Sequence, residues 1–210
     1  LTLLTAFAAT AQNRIVSTSP AITETLYALG AGNRVVGISE YCHYPPEVES
    51  KPRIGSYLRP NVEAIVRLRP HLVILEQLPN TALQQLQASG LRVQKVISGD
   101  VNANLLMMRE IANAAGLPAQ GRNLTGQVRR QLDQVAASSK GKPAKTVIFV
   151  VGRTPGRLEG MIAVGKGSYL NELIAMAGGR NLFATSAMAY AKVSLEAVVR
   201  LQPDVIIDMG

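Results

Sequence analysis

The chain has 210 residues, enough for one large domain or two small ones with real hydrophobic cores. A hydrophobic content of 47% with mixed charges is typical of a folded, soluble protein. The net charge of +8 is scattered, with no basic run longer than two residues, and aromatic side chains are few. These features argue against a nucleic-acid interface.

An uncharged, mostly apolar leader opens the sequence. Residues 1–12 read LTLLTAFAATAQ and contain Ala9-Thr10-Ala11, a pattern that fits signal-peptidase cleavage before Gln12. The leader is too short to span a bilayer, and no later stretch reaches spanning length. We therefore expect an export-signal remnant and a soluble periplasmic protein. The alternative for the leader is a buried N-terminal helix.

After the leader, strand and helix patterns alternate, which predicts an α/β fold with a mostly parallel sheet. Ser19-Pro20 supplies an N-cap and a first-turn proline for the first helix. Residues 39–60 are rich in Pro and Tyr without periodicity and predict an ordered loop. The predicted elements of this first lobe are strand 14–18, helix 19–29, strand 34–38, helix 61–68, strand 71–75, helix 79–89, strand 92–97 and helix 102–115.

The longest helical pattern covers residues 119–138, with an apolar stripe along one face. It predicts a single backbone helix that joins two Rossmann-like lobes, and a strand at 145–151 begins the second lobe. We predict a leader at 1–12, an N-terminal lobe at 13–117, the linking helix at 118–140 and a C-terminal lobe at 141–210. The second lobe looks incomplete, so we expect the natural protein to be longer.

A repeat supports the two-lobe interpretation. Residues 61–76 read NVEAIVRLRPHLVILE, and residues 194–209 read SLEAVVRLQPDVIIDM. Each copy predicts a short helix stopped by proline and a buried parallel strand. Two lobes of similar build imply a ligand cleft between them. Glu63 and Glu196 recur at the helix starts, where the helix dipole alone explains a carboxylate; alternatively, the pair docks onto a two-fold partner.

The loop EYCHYPP at residues 40–46 is the first candidate for chemistry. Cys42 beside His43 suggests a nucleophile and a base, but adjacent residues of an extended segment point to opposite faces. We favour a rigid loop whose aromatic side chains face a pocket, and we keep an enzyme that uses Cys42 and His43 as the alternative. One Cys and two His in the whole chain argue against a zinc site.

A glycine-rich segment at residues 160–168 nearly matches a phosphate-binding loop. That motif requires Ser or Thr directly after its lysine, whereas Gly167 follows Lys166 here. We therefore expect no nucleotide site and a helix that begins at Ser168.

Four of the six tyrosines, namely Tyr41, Tyr44, Tyr57 and Tyr190, are predicted in loops that follow strands. Tyr57 and Tyr190 each precede their copy of the repeat by four residues. The repeat therefore predicts one tyrosine from each lobe on opposite walls of the cleft. Flat aromatic walls with hydroxyl groups suit a large, partly apolar, ring-bearing ligand.

Four motifs together carry a family resemblance: RIVSTSPAITE at 14–24, VGISEYCHYPP at 36–46, NVEAI at 61–65 and GGRNLF at 178–183. The chain resembles the periplasmic substrate-binding proteins of ABC importers that have a helical backbone, the group that serves cobalamin, haem and ferric siderophores. The resemblance extends over essentially the whole chain from Arg14, and within the group it is closest to the cobalamin receptor.

The resemblance implies which residues do what. It implies that the loop from Tyr41 to Pro46, together with Tyr57 and Tyr190, lines the corrin site. It also implies that Glu63 and Glu196 dock onto arginines of the two permease subunits. Tyrosine stands at 57 and 190 where the cobalamin receptor has tryptophan, so a tyrosine that ligates haem iron is an alternative. Arg59 would then pair with a haem propionate or a ferric siderophore.

We therefore predict a non-catalytic, monomeric binding protein with no cofactor of its own and no nucleic-acid partner. Its ligand would be a cobalt corrinoid, with haem or another ferric chelate as the alternative, and its partner an ABC importer permease. The predicted ligand contacts are Tyr41, Cys42, His43, Tyr44, Tyr57, Arg59 and Tyr190.

Overall fold

The computed structural model of the protein describes residues 14–56, 59–76 and 79–209. The chain forms two compact units. Of the described residues, unit 1 contains those up to 98 and residues 104–126, and unit 2 contains residues 99–103 and 127–209. The predicted leader and the predicted ligand contact Tyr57 lie outside the described residues.

Unit 1 alternates strands and helices as the sequence predicts. Its first helix is capped by Ser19, whose hydroxyl accepts a hydrogen bond from the backbone N–H of Ile22, and Pro20 lies in the first turn. The elements that build unit 1, of which the last two extend into unit 2, are β1 (Ile15–Ser17), α1 (Pro20–Ala28), β2 (Val35–Ile38), α2 (Val62–Arg67), β3 (Leu72–Leu75), α3 (Asn80–Ala88), β4 (Arg92–Lys95), α4 (Val101–Ala114) and α5 (Pro118–Ser139).

The four strands of unit 1 form a wholly parallel sheet in the order β2-β1-β3-β4. Strand β1 lies between β2 and β3, and Ile15 is in register with Val35 on one side and with Leu72 on the other. Because parallel strands all end at the same edge, the segments that follow β1 and β2 leave the sheet together. Ligand sites of open parallel sheets lie at this edge.

Strands β1, β2 and β3 are almost wholly buried on both faces, as their apolar sequences predict, whereas the edge strand β4 has no buried residue. Successive side chains of a strand point to opposite faces, so neighbours in β1 and β3 enter different clusters. One cluster includes Ile15, Leu26, Ile74 and Ile111. The other includes Val16, Ile65, Val73 and Leu86. The helices α1 and α4 therefore pack in the first cluster, and α2 and α3 pack in the second.

Unit 2 has a mixed sheet. Its elements after α5 are β5 (Lys145–Gly152), β6 (Met161–Val164), α6 (Tyr169–Met176), β7 (Gly179–Asn181), β8 (Tyr190–Val193), α7 (Leu195–Leu201) and β9 (Val205–Asp208). Strand β5 pairs in parallel with β7 and β9, but β6 pairs antiparallel with β5 and β8. Residues 153–160 connect β5 to β6 without a helix, and a direct connection returns the chain antiparallel. The sheet is thus more mixed than the alternating pattern of unit 1.

The two copies of the repeat fold alike. Asn61 caps α2 by accepting from the backbone N–H of Ala64 at 2.9 Å, and Ser194 caps α7 by accepting from Ala197 at 3.2 Å. At the other end of each helix, the residue before the proline has a left-handed backbone, with φ of 47° at Arg69 and 44° at Gln202. The same sequence pattern therefore produces the same start and stop.

The copies differ in burial. The four residues of β3 are buried, whereas β9 is exposed along its whole length, with Ile206 54% exposed. In the described part of the chain β3 has strands on both sides, and β9 pairs with β5 alone. The prediction of a parallel strand in the second copy is correct, but the prediction that it is buried is wrong for these residues.

The α/β class and the two-lobe organisation of the fold are confirmed by the two units and their sheets. The helix predicted at 119–138 is α5, and no helix in the described residues has the length and apolar character to cross a membrane.

Candidate functional site

The segment that follows β2 is an ordered loop tied to the sheet edge. It contains a 3-10 helix at Pro46–Ser50 and returns beside the end of β2, where the Ile54 N–H donates to the Ile38 carbonyl at 2.9 Å. The Glu40 N–H donates in turn to the Gly55 carbonyl at 3.1 Å. Residues 39–56 of the predicted ordered loop at 39–60 thus lie at the strand ends, and we call them the rim loop.

Cys42 anchors the rim loop to the core of unit 1. The residue is fully buried, and its sulfur lies 3.2 Å from the Thr23 hydroxyl, which is hydrogen-bonded to the Ser17 hydroxyl at 2.7 Å. This buried polar chain connects the rim loop, α1 and the end of β1. Cys42 therefore fixes the loop from beneath, and contact of its side chain with a ligand stays a prediction.

The residues beside Cys42 face the opposite way. Tyr41 is 52% exposed, Tyr44 is 65% exposed, and the side chain of His43 is 72% exposed. Buried Cys42 between exposed Tyr41 and His43 shows the alternation that an extended segment produces, and Tyr44, next in the chain, departs from it because it is exposed as well. The rim loop therefore presents two phenol rings and one imidazole to solvent from a backbone that is held in place.

Glu49 and Arg53 complete the rim loop in a way that the sequence analysis missed. The Arg53 guanidinium donates to the carbonyls of Ser39 and Cys42 and to the Glu49 carboxylate at 2.9 Å. The other Glu49 oxygen lies 3.3 Å from Nδ1 of His43. The spacing of Glu49 and Arg53, four residues apart, was the available signal, but it did not show that Arg53 also binds two carbonyls of the loop.

The structure does not bring the thiol and the imidazole together as a catalytic pair. The Cys42 sulfur is buried against Thr23, whereas His43 is exposed and contacts Glu49. Among the described residues there is also no group of three or more His, Cys, Asp or Glu side chains arranged to bind a metal ion. The geometry thus favours presentation of side chains to a ligand over covalent chemistry.

The remaining predicted contacts are placed as follows. Tyr190 is the first residue of β8, so the prediction that it lies in a loop is wrong. Because β6 and β8 run antiparallel, Tyr190 pairs with Val164, the last residue of β6. Its ring is 46% exposed, and its hydroxyl accepts a hydrogen bond from Ser168 at 3.2 Å. Arg59 is exposed, and its backbone N–H donates to the Ser56 hydroxyl. Tyr57 lies outside the described residues.

Glu63 and Glu196 are exposed and occupy the second positions of α2 and α7. Each carboxylate therefore lies where the N-terminal end of the helix dipole favours a negative charge. Hydrogen bonds from its own backbone N–H and from the Ser194 hydroxyl lower the pKa of Glu196. The helix starts thus present both acids on the surface of their units.

Unit 2 contains a cavity of about 330 Å³ that involves none of the predicted contacts. It is lined by parts of the segment 139–147, by the turn 177–179, and by Val205 and Ile207 of β9. Its walls are mainly apolar, and the polar lining residues are Ser139, Lys142 and Lys145.

Comparisons with known proteins converge on one family. Residues 15–210 match the model of a family described as "Periplasmic binding protein". A curated vitamin B12-binding protein from Salmonella choleraesuis is 30% identical over 199 residues, which cover 94% of this chain and 72% of that protein.

Solved structures with the same architecture bind two kinds of ring-shaped ligand. The periplasmic haem-binding protein RhuT from Roseiflexus sp. RS-1 is 31% identical and superposes with a TM-score of 0.82, covering 93% of this chain and 75% of that one. The periplasmic vitamin B12-binding protein of Vibrio cholerae is 26% identical with a TM-score of 0.77, covering 92% and 75%.

Proposed function

The chain belongs to the periplasmic binding protein family, and from this premise we propose that it captures cobalamin or a related corrinoid and delivers it to an ABC importer. The observation that carries the proposal is the 30% identity to a vitamin B12-binding protein over nearly the whole chain. Family proteins of this kind bind and release their ligands, so the proposal includes no catalytic step. It also includes export to the periplasm.

The rim loop supports a large, flat ligand. Tyr41 and Tyr44 together expose two aromatic rings, and their hydroxyl groups can bind the amide or carboxylate groups at the edge of a macrocycle. The loop is fixed by Cys42 from below and by Arg53 from the side. A pre-organised wall loses little conformational entropy when a ligand binds, which favours affinity.

Haem is the second candidate ligand. The haem-binding RhuT is as similar in sequence to this chain as the vitamin B12-binding protein of Salmonella is. Corrin and porphyrin rings share a flat, partly apolar macrocycle around a metal, so the rim loop suits both. Arg59 would then pair with a propionate, whereas a corrinoid has neutral amides at its edge.

Calorimetric titration of the protein with cyanocobalamin, with haemin and a ferric hydroxamate in parallel, tests the ligand. We expect one-to-one submicromolar binding of cyanocobalamin and weaker or no binding of the other two. Binding of haemin or the hydroxamate without cobalamin would replace the cargo and keep the receptor. Failure of all three to bind would contradict the proposed function.

We infer that Glu63 and Glu196 present the loaded protein to the permease. Both acids are exposed and placed at equivalent positions of a repeated element. Two equivalent carboxylates match a partner built from two equivalent subunits, each with a basic pocket. Charge complementarity of this kind sets the orientation of docking and the association rate.

Charge reversal tests the docking proposal. The double variant Glu63→Lys with Glu196→Lys should bind ligand as the wild type does but should no longer stimulate ATP hydrolysis by the reconstituted importer. Reversal also removes the favourable interaction of each carboxylate with its helix dipole, which is a small loss for exposed side chains. Glu110→Lys, an exposed reversal on α4, is the matched control and should stimulate normally. Unchanged stimulation by the double variant would contradict the proposal.

A further inference from the structure

The cavity of unit 2 has one face of the β5–β9 pair as its floor. Strand β9 pairs in parallel with β5, and Val205 is in register with Val147. Alternate residues of a strand point to the same face, so Lys145 shares a face with Val147. Ile207 likewise shares a face with Val205, and all four residues line the cavity of about 330 Å³. The floor is therefore an apolar strip, formed by Val147, Val205 and Ile207, with a cation where β5 begins.

One wall of the cavity is the C-terminal end of α6 and the turn that follows it. A Cβ at Gly179 would lie 2.9 Å from a methyl group of Ile174 and 3.0 Å from one of Val147, so only glycine lets the turn approach this closely. The Ser139 hydroxyl, at the end of α5, donates to the Met176 carbonyl at 2.8 Å. The wall is therefore closely packed, and these two polar groups satisfy each other.

The end of the cavity where β5 begins is positively charged. Lys142 and Lys145 line it and are exposed, and neither forms an ion pair within 4.0 Å in the described part of the chain. Asp204 lies near Lys145 and Arg180, but its carboxylate already accepts from the backbone N–H and the hydroxyl of Thr146, both at 2.7 Å. One carboxylate among three cations leaves a net positive charge at this end.

An apolar strip with cations at one end fits an amphiphilic anion. An alkyl chain that covers the strip removes apolar surface of both partners from water, which is favourable in proportion to the area buried. Small-molecule cavities span about 300–1,000 Å³, and this one lies at the lower end of that range. The strip extends about 6–7 Å from Val205 to Ile207, so a single chain of medium length suits it better than a ring system does.

We propose that the cavity of unit 2 binds a single-chain amphiphilic carboxylate of the fatty-acid class. The carboxylate would lie at Lys142 and Lys145, and the alkyl chain would follow the strands over Val205 and Ile207. None of the residues predicted to bind the cargo lines this cavity. The inference therefore goes beyond the proposed function and does not depend on it.

Displacement of the fluorescent fatty acid cis-parinaric acid by decanoate tests the site. We expect one decanoate per chain, at concentrations below those at which it forms micelles. Each methylene that leaves water should strengthen binding about fourfold, so decanoate should bind about fifteenfold more tightly than octanoate. Decanol, which is neutral, and decylamine, which is positively charged, should both bind more weakly than decanoate. Equal affinities of octanoate and decanoate, or of decylamine and decanoate, would overturn the inference.

Two neighbouring isoleucines of β9 offer matched variants. Ile207 lines the cavity, whereas Ile206 points to the other face of the sheet and does not line it. Ile207→Ser should weaken decanoate binding about fivefold, because the alkyl chain loses an apolar contact, and Ile206→Ser should leave it unchanged. Both side chains are partly exposed, so both variants should keep the circular dichroism of the wild type. Equal effects of the two substitutions would overturn the inference.

The lysines are tested by removal of charge. The double variant Lys142→Gln with Lys145→Gln should weaken decanoate binding by about two- to thirtyfold, the range for two exposed charge pairs, and should not change decanol binding. Lys166→Gln with Lys192→Gln removes the same charge from exposed positions elsewhere in unit 2 and should change neither. Decanoate binding that is insensitive to Lys142 and Lys145 would overturn the inference.

Two other occupants of the cavity would give different results. A second copy of the chain would appear in sedimentation velocity as a dimer that Ile207→Ser dissociates and decanoate does not. A membrane would appear as cosedimentation with phosphatidylglycerol vesicles in the absence of any binding of free decanoate. Either result would overturn the inference, whereas a monomer that binds decanoate with the expected dependence on chain length and on the two lysines supports it.

Discussion

Replacement of Arg53 by alanine tests whether the rim loop is held as the structure indicates. The guanidinium donates to the carbonyls of Ser39 and Cys42 and to the Glu49 carboxylate. Ser39 and Cys42 are fully buried. The Ser39 carbonyl also accepts from the Cys42 N–H at 3.2 Å, so Arg53→Ala leaves the Cys42 carbonyl as the buried acceptor that loses its donor. The substitution therefore removes support for the loop at two points that solvent does not reach in the native state.

The magnitude follows from those contacts. A buried polar group that loses its partner costs about 1–3 kcal/mol. The Cys42 carbonyl therefore predicts a loss of about 1–3 kcal/mol, and the Ser39 carbonyl adds less because it keeps its hydrogen bond from the Cys42 N–H. The ion pair with Glu49, whose side chain is 58% exposed, adds little, about 0.2–1 kcal/mol. The carbonyl contacts should therefore dominate.

Chemical denaturation measures this difference. The chain has no tryptophan, so far-ultraviolet circular dichroism and tyrosine fluorescence are the signals. Unit 1 and unit 2 can unfold in separate transitions, and the expected shift belongs to the transition of unit 1. Glu49→Gln is the matched control and should lose less than about 1 kcal/mol. The reasoning would be refuted if the free energy of unfolding of Arg53→Ala lay within about 0.5 kcal/mol of the wild type. It would also be refuted if Glu49→Gln lost as much stability as Arg53→Ala.

Two further predictions concern the repeats. Arg69→Gly and Gln202→Gly should each raise the free energy of unfolding by up to about 1 kcal/mol, because a left-handed backbone strains any side chain with a Cβ. The control Gln202→Ala keeps the Cβ and should give no gain. Equal gains for Gln202→Ala and Gln202→Gly would contradict the argument. Hydrogen bonds from the backbone N–H and the hydroxyl of Thr146 lower the pKa of Asp204 in the folded protein. Asp204 therefore stabilises the fold fully above the pKa that it has in the unfolded chain, and this stabilisation is lost as the pH falls through the lower pKa of the folded protein. Unfolding curves between about pH 2 and pH 6 should therefore be flatter for Asp204→Asn than for the wild type, and parallel curves would contradict the pKa assignment.

The local elements were predictable because their signals are local. Ser19 and Pro20 placed the start of α1, and the helix predicted at Ser168 begins there, with the Ser168 hydroxyl accepting from the Leu170 N–H. The repeat predicted both helix and strand in each copy, and the family resemblance from the same motifs is confirmed by the match over residues 15–210. Caps, prolines and apolar runs act within a few residues, so one sequence suffices to find them.

The contacts that build the rim loop were not predictable because they connect distant or unrelated positions. Nothing in the sequence pairs Cys42 with Thr23, or Arg53 with the Cys42 carbonyl, since carbonyls carry no sequence signal. The antiparallel pairing of β6 and the strand position of Tyr190 were not predicted either. Both depend on a connection from β5 to β6 that contains no helix, and the glycine-rich segment 152–160 carries no signal for the direction in which the chain returns.

The two copies of the repeat show how far a shared pattern determines structure. In both copies the residue before the proline has a left-handed backbone, but the residue after the proline is held by different contacts. The His71 N–H donates to the Arg14 carbonyl, whereas the Asp204 carboxylate accepts from Thr146. Apolar character likewise produces a parallel strand in both copies, yet β3 is buried and β9 is exposed in the described residues. The pattern thus specifies the backbone of the repeat, and the neighbours of each copy decide which side chains the solvent reaches.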